Sequence, residues 1–172
     1  MIIGVISDTH GLLRPEALAA LRGSERIIHA GDVGGPEILD ALVAVAPVTV
    51  VRGNNDRGPW AEAIPTTAVV EVAGVSIYIL HNIADIMAEI DLDPAACGFG
   101  VVVAGHSHKP LCETRGQVLY FNPGSAGPRR FRLPVSVGRL TIEVGVVHGE
   151  ILILDSGQYD LDQGRRPTKS IW

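Results

Sequence analysis

Apolar, β-branched runs alternate with helical patterns through the first half of the chain. MIIGVIS (1–7) predicts a strand that runs straight into polar residues. Pro15 to Arg22 predicts a short helix, with Pro at its first turn and Leu18 and Leu21 on one face. RIIHA (26–30) predicts a second strand. Pro36 to Ala46 predicts a helix with a stripe of Ile38, Leu39, Leu42 and Val43, and PVTVV (47–51) a third strand. A βαβαβ order makes a parallel sheet with right-handed crossovers the default. The second half changes character. TAVVEV (67–72) and VSIYIL (75–80) flank Ala73-Gly74, a two-residue hairpin signal. Ile83, Ile86, Met87 and Ile90 predict another helix, and FGVVVAG (99–105) another strand. LCETRGQVLYF (111–121) reads as a hairpin turning at Arg115-Gly116. Val135 to Asp155 reads as two long strands turning near His148-Gly149. The polar stretch 156–172 has no period and reads as a surface tail. There are more strands than one parallel sheet needs, so the expected architecture is two packed sheets flanked by helices, in a single α/β domain spanning 1–172.

Composition narrows the setting. At 172 residues with 47% apolar content, the chain can bury a full core without staples. Its two cysteines, Cys97 and Cys112, match no zinc or redox spacing, so a reduced intracellular pair is expected. The first apolar run is too short for a signal-peptide core, and no run approaches a membrane span. These features predict a soluble cytoplasmic protein with no membrane association. A net charge of −5 argues against stable nucleic-acid binding, which needs excess Lys and Arg to displace counterions.

The strand ends carry the chemistry. The first predicted strand stops at Asp8-Thr9-His10, the second at Gly31-Asp32, the third at Gly53-Asn54-Asn55-Asp56. VSIYIL stops at His81 and FGVVVA at Gly105-His106-Ser107-His108. In α/β sheets, loops at the carboxyl ends of strands converge over one crevice. Residues i and i+2 of an extended segment point the same way, so Asp8 with His10, and His106 with His108, are expected to aim at one point. The glycines at 31, 53 and 105 are expected to permit sharp turns. A lone Asp after a strand is usually a cap, and a lone His usually packs or faces solvent; His29 and His148 are read that way. Four of the six histidines at strand ends is a different matter. Asp8, His10, Asp32, Asn54, His81, His106 and His108 offer seven oxygen and nitrogen donors. One tetrahedral ion uses about four. The set suits two divalent ions roughly 3.5–4 Å apart, as in two-metal hydrolases. The imidazoles favour manganese, nickel, iron, cobalt or zinc, manganese first, over magnesium or calcium. A site left positive by two dications against two carboxylates calls for an anionic substrate, and a phosphate ester supplies it.

At these residues the chain resembles the calcineurin-like metallophosphoesterase superfamily, whose pattern runs D-x-H, G-D, G-N-x-[DE], H, G-H-x-H. SDTHG, HAGDV, GNND, GHSHKP and NPGSAGPRR (122–130) are similar to its small prokaryotic phosphodiesterase subfamily, over roughly residues 1–155. The resemblance implies a four-layer α/β/β/α sandwich. It implies one ion on Asp8, His10, Asp32 and His108, and another on Asp32, Asn54, His81 and His106, with Asp32 as the bridge. The chain departs from the wider family at two linked places. Many relatives carry a proton-donating His where this chain has Asn55, held by an Asp where it has Gly35. Asn82 stands where relatives usually have Gly.

The expected activity is hydrolysis of phosphate diesters by a metal-bridging hydroxide. Asn55 has no ionisable proton near neutral pH but can donate a hydrogen bond to a phosphoryl oxygen. Asp56 is expected to orient the loop behind the metals. Arg129 and Arg130 are candidates to grip the substrate anion, with Arg57 a weaker one. A phosphomonoesterase or nucleotide phosphatase on the same site is the alternative. A non-enzymatic scaffold like the retromer subunit that shares this fold is the third reading, against which the full ligand set argues. Relatives often associate, so a homo-oligomer is compatible with the sequence.

Overall fold

A computed structural model describes residues 1–86, 93–130 and 132–154. In chain order the elements are β1 (Ile2–Ile6), α1 (Pro15–Leu21), β2 (Arg26–His29), α2 (Pro36–Val43), β3 (Val48–Val50), α3 (Pro59–Glu62), β4 (Thr67–Val72), β5 (Val75–Leu80), β6 (Val101–Val103), β7 (Leu111–Arg115), β8 (Val118–Asn122), β9 (Ser136–Glu143) and β10 (Val146–Ile153). The helix expected from Ile83 to Ile90 lies partly, and the tail from Ser156 wholly, outside the described residues.

The strands form two five-stranded mixed sheets, β10-β9-β1-β2-β3 and β4-β5-β6-β8-β7. In the first, β1, β2 and β3 run parallel, as the βαβαβ pattern requires, while β9 joins β1 antiparallel. In the second, β5, β6 and β8 are parallel and the edges β4 and β7 are antiparallel. Strand alternation then sets the layers. On β5 and β6, Ile77, Ile79, Val101 and Val103 face the inter-sheet core, where they meet Ile3, Val5, Phe121 and Leu140. Tyr78, Leu80 and Val102 face the other way, under Ile83, Ile86 and Phe99. On the first sheet, Ile6 and Ile27 face outward onto Ala17 and Leu21 of α1 and Ile38 and Leu42 of α2. Both faces of these strands are covered, which is why their sequences read as unbroken apolar runs. The result is the four-layer arrangement expected.

Both longer helices start at Pro, with Glu16 and Glu37 in their first turns, where a carboxylate suits the helix N-terminus. The α2 stripe is narrower than the sequence suggests. Val43 is 60% exposed, because five residues turn it about 140° away from Ile38. The short α3 has too few residues to show a period and was not anticipated.

Two hairpins differ from the expected registers. The β7–β8 turn falls on Gly116-Gln117, since Arg115 still pairs with Val118. The β9–β10 turn falls on Val144-Gly145, at φ 49° and 79°, and not on His148-Gly149. Those two residues lie inside β10 opposite Thr141 and Leu140. Gly149 serves packing there: a Cβ would stand 2.7 Å from Cys112 Sγ and 3.0 Å from the Phe121 ring. No helix among the described residues is long and apolar enough to cross a membrane.

His29, at the end of β2, is fully buried and keeps a single side-chain hydrogen bond, Nε2 to Thr9 Oγ1 at 2.9 Å. The Thr9 hydroxyl donates its one proton to Val33 O at 2.8 Å, so Nε2 carries the imidazole proton and Nδ1 is a buried, unpartnered lone pair. Burial therefore lowers the His29 pKa to about 4.

Two expectations follow. Phe121→Ala removes the largest fully buried side chain and destabilises the protein by about 3–5 kcal/mol in urea unfolding, whereas Val69→Ala at a half-exposed edge position changes it by less than about 0.5 kcal/mol. The unfolded chain binds a proton at His29 near pH 6.5 and the folded chain only near 4. Stability is therefore lost as pH falls between those values, by up to ~3 kcal/mol. His29→Gln, which keeps the Nε2–H donor, flattens that slope in unfolding measured from pH 7 to 4; an unchanged slope contradicts the assignment.

Candidate metal centre

The five strand ends named from the sequence meet at one rim of the sandwich. Backbone hydrogen bonds lock them together: Asp8 N to Gly31 O at 3.0 Å, His10 N to Asp32 O at 2.9 Å, and Gly105 N to His81 O at 2.9 Å. The chain is not extended where it presents Asp8, His10, Asp32, His106 and His108. All five have positive φ, between 46° and 66°. Asp8 and His10 still meet in one group, as expected, and His106 and His108 do not; in neither pair is the backbone the extended one the sequence suggests. Each ligand sits in the left-handed region that Asp and His tolerate better than most residues, at a cost of about 1–2 kcal/mol apiece. Two of the glycines before them act through close approach more than through turning. A Cβ at Gly53 would collide with Asp32, and one at Gly105 with Ser7 Oγ while standing 2.9 Å from Asp8 Oδ2.

Asp8, His10 and His108 form one compact group of donor atoms; Asp8, Asp32 and His81 form a second. His108 Nε2 lies 3.2 Å from Asp8 Oδ1 and 3.2 Å from His10 Nε2. Asp32 Oδ2 lies 3.4 Å from His81 Nε2 and 3.8 Å from His10 Nε2, so this carboxylate reaches a histidine of each group. Asn54 Oδ1 extends the set outward, 3.1 Å from His81 Nε2 and 3.0 Å from His106 Nδ1. His106 itself is exposed at the outer edge.

The hydrogen bonds show what is missing between these atoms. His81 Nδ1 stands 2.8 Å from Ala30 O, a carbonyl that can only accept, so Nδ1 carries the proton. The ring turns its other nitrogen, Nε2, toward Asn54 Oδ1 at 3.1 Å and Asp32 Oδ2 at 3.4 Å. Asp8 shows the same pattern. Its Oδ2 accepts from Ser7 Oγ at 2.7 Å and His106 N at 3.1 Å, while buried Oδ1 has no hydrogen-bond partner. Oxygen and nitrogen donors gathered around a common point, one of them a buried carboxylate oxygen with no hydrogen-bond partner, fit a cation. A backbone carbonyl holding the far nitrogen of an imidazole is the usual support of a metal-binding histidine.

Without a cation, the charges settle as electrostatics requires. Burial alone would lower the His81 pKa, but Asp32 and Ala30 O outweigh it and the net shift is upward. Burial opposes ionisation of Asp32, yet the hydrogen bonds from His81 and Asn55 hold its carboxyl far below the usual range. His10 is lowered, by burial first, with the Arg130 charge adding to it.

The remaining named residues fall as follows. Asn55 closes on Asp32, its backbone N–H on Oδ1 at 2.8 Å and its Nδ2 on Oδ2 at 2.6 Å. Asp56 ties two loops by accepting from Gly34 N at 2.9 Å and Gly53 N at 2.8 Å. Asn82 hydrogen-bonds Asp85 Oδ1 and the Ala84 N–H, capping the turn that follows His81. Arg57, Arg129 and Arg130 are exposed, and the Arg130 charge acts on His10.

Sequence reasoning assigned no role to Asn122 or Ser125 and did not single out Ser7 or Arg52. Buried Asn122 donates to Gly105 O at 2.7 Å and to Ser107 Oγ at 3.2 Å, bracing the loop that carries His106 and His108. Ser125 Oγ donates to Asp8 O at 2.9 Å. Asn122 ends β8, so the strand-end signal applied once more would have found it. Arg52 lines a cavity of about 420 Å³ beside Asn54, His81 and His106.

Comparison with known proteins places this geometry. The model of the calcineurin-like phosphoesterase superfamily domain matches residues 1–145. A protein named probable metallophosphoesterase from Methanothermobacter thermautotrophicus is 35% identical over 162 residues, covering 88% of this chain and 92% of that one. Phosphodiesterase YfcE of Escherichia coli is 29% identical over 168 residues, covering 80% and 86%. The solved structure of an archaeal phosphodiesterase superposes with a TM-score of 0.73 at 24% identity, over 88% of this chain and all 100% of that one.

Proposed function

The chain belongs to the calcineurin-like phosphoesterase superfamily, and from that premise we propose that it is a phosphodiesterase working with two divalent ions. The observation that supports this most is the convergence of oxygen and nitrogen donors: His81 Nε2, Asp32 Oδ2 and Asn54 Oδ1 on one side, Asp8 Oδ1, His10 Nε2 and His108 Nε2 on the other. In this reading Asp8, His10, Asp32 and His108 would hold one ion, and Asp32, Asn54, His81 and His106 the other. Asp32, whose carboxylate reaches a histidine of each group, would serve both. Ions bound there supply charge that lowers the pKa of a water and offsets the charge on phosphoryl oxygens. The ligand chemistry favours manganese, with nickel, iron, cobalt or zinc as alternatives.

The protein's own groups do the rest. Ser7 and the His106 N–H fix Asp8, and Asn55 fixes Asp32, so both carboxylates are oriented before a substrate arrives. One Nδ2 hydrogen of Asn55 is held by Asp32; the other is free to meet a phosphoryl oxygen. Arg130, close enough to bias His10, is placed to steer an anion toward the site. Asn55 offers no acid to the departing oxygen, which favours diesters with good leaving groups over alkyl monoesters. Asp56 acts at one remove, holding the loop of Asn54 to the loop of Asp32.

Metal analysis after loading with manganese is expected to give two ions per chain, and the loaded protein is expected to hydrolyse bis(4-nitrophenyl) phosphate in preference to 4-nitrophenyl phosphate. Asp32→Asn and Asp32→Ala lose metal and more than about 10²-fold in rate, beyond the 10–100-fold that a change outside the ligand set costs. Full metal content with undiminished rate in both variants would falsify the assignment; faster turnover of the monoester favours the phosphatase alternative. In a series of aryl diesters, the rate is expected to fall steeply as the leaving-group pKa rises. Alkyl analogues should trail by about 10²-fold or more, the contribution that a positioned acid supplies. A flat series requires a proton donor among groups with no such role here.

A further inference from the structure

The cavity beside the metal centre opens on the side of His81, His106 and Asn54, and its far wall is made by Arg52, Thr66, Thr67 and Asp85. At about 420 Å³ it is within the size range of small-molecule sites and can admit a nucleoside-sized group. Arg52 is the feature that calls for explanation. It is half-buried, its backbone N–H is tied to Pro65 O at 2.8 Å, and the guanidinium has no hydrogen bond or ion pair among the described residues. Asp85 shares the cavity but forms no ion pair with it; its Oδ1 is taken by Asn82 Nδ2 at 3.0 Å. A guanidinium cannot shed its proton, and a bidentate fork is wasted where nothing planar and anionic meets it. Next to a site that gathers dications, the unmatched charge is also repelled unless an anion is interposed.

Resting on the phosphodiesterase reading above, we propose that Arg52 determines specificity by binding a second anionic group on the substrate. The ester substituent that lies in the cavity carries a phosphate or carboxylate, while the scissile phosphate lies over the histidines. Asp85, with Oδ2 still open, offers an acceptor to a hydroxyl of the same substituent.

The test is a binding measurement on the manganese-loaded protein, with thymidine 3′,5′-bisphosphate, thymidine 5′-phosphate and 3′-O-succinylthymidine 5′-phosphate as probes in titration calorimetry. The bisphosphate is expected to bind about tenfold more tightly than the monophosphate, the yield of one charge-assisted bidentate contact. In Arg52→Gln the ratio of the two dissociation constants should collapse toward one, and Arg52→Lys should recover part of it. A succinyl compound as tight as the bisphosphate assigns the carboxylate; one as weak as the monophosphate assigns the phosphate. Equal affinities in the wild-type protein, or a ratio that survives in Arg52→Gln, overturn the proposal. So does an equal loss for all three probes, which would place Arg52 on the shared phosphate or in the scaffold. Hydrolysis of bis(4-nitrophenyl) phosphate is followed in parallel. If the ratio collapses as expected but no metal supports hydrolysis, the binding role of Arg52 stands and the catalytic reading falls.

Discussion

The structure is organised around a repulsion. Two carboxylates, an amide oxygen and three imidazoles turn oxygen and nitrogen atoms toward one small volume, where the two carboxylates repel each other and an amide oxygen adds to the crowding. Groups of this kind separate in a flexible chain. Here each is restrained from behind: Asp8 by Ser7 and the His106 N–H, Asp32 by both donors of Asn55, His81 by the Ala30 carbonyl. At Asp8 and His81 the restraints engage the atoms that point away from the common centre, whereas Asn55 holds both oxygens of Asp32, including the Oδ2 that faces the histidines. Asp8 Oδ1 and His81 Nε2 are thus aimed at whatever enters.

Holding that arrangement requires a stiff frame. Five non-glycine residues of the site occupy left-handed backbone, together costing several kcal/mol against a net stability of about twice that in an ordinary domain. Local interactions do not supply the difference. The two central parallel ladders do, because β1, β2, β5 and β6 are covered on both faces and cannot shift without opening the core. A cross-link between the sheets lies directly beneath the site. Gly105 packs so tightly on Ser7 that a methyl group would not fit, and Asn122 and Ser125 pin the loops on either side. The rim that carries the candidate metal site is therefore the place where the two halves of the sandwich are fastened to each other.

This division explains what could be read without a structure. Unbroken apolar runs such as VSIYIL and FGVVVA announced doubly covered strands, and ligands at the ends of such strands had to converge. That much was legible because burial and strand polarity are encoded residue by residue. The backbone conformation of the ligands was not. Asp8-Thr9-His10 looks like a strand continuing, and the left-handed turns exist only because Gly31 O and Asp32 O, distant in sequence, capture the Asp8 and His10 N–H groups. The β9–β10 register was lost for a similar reason. Val144-Gly145 and His148-Gly149 are equally good turns locally, and the choice is made by Phe121 and Cys112 lying across Gly149. Arg52 stayed hidden because one cation after a valine run carries no signal until a cavity is seen beside it.

The two ends of the site are also unlike, and the difference bears on the chemistry. On the Asp8, His10 and His108 side Asp8 and His108 are buried and His10 nearly so, and Arg130 acts from the surface. On the His81, His106 and Asn54 side the donors are progressively more exposed and open into the cavity that Arg52 lines. A phosphate bound symmetrically between two ions would feel these ends differently. One substituent would be turned toward solvent and the other into a walled space with its own charge. On the proposed phosphodiesterase reading, with Asn55 unable to give a proton, the leaving group is one that needs none or is turned outward to water. The partly open cavity that Arg52 lines would then receive one substituent on phosphorus and leave its partner facing the solvent.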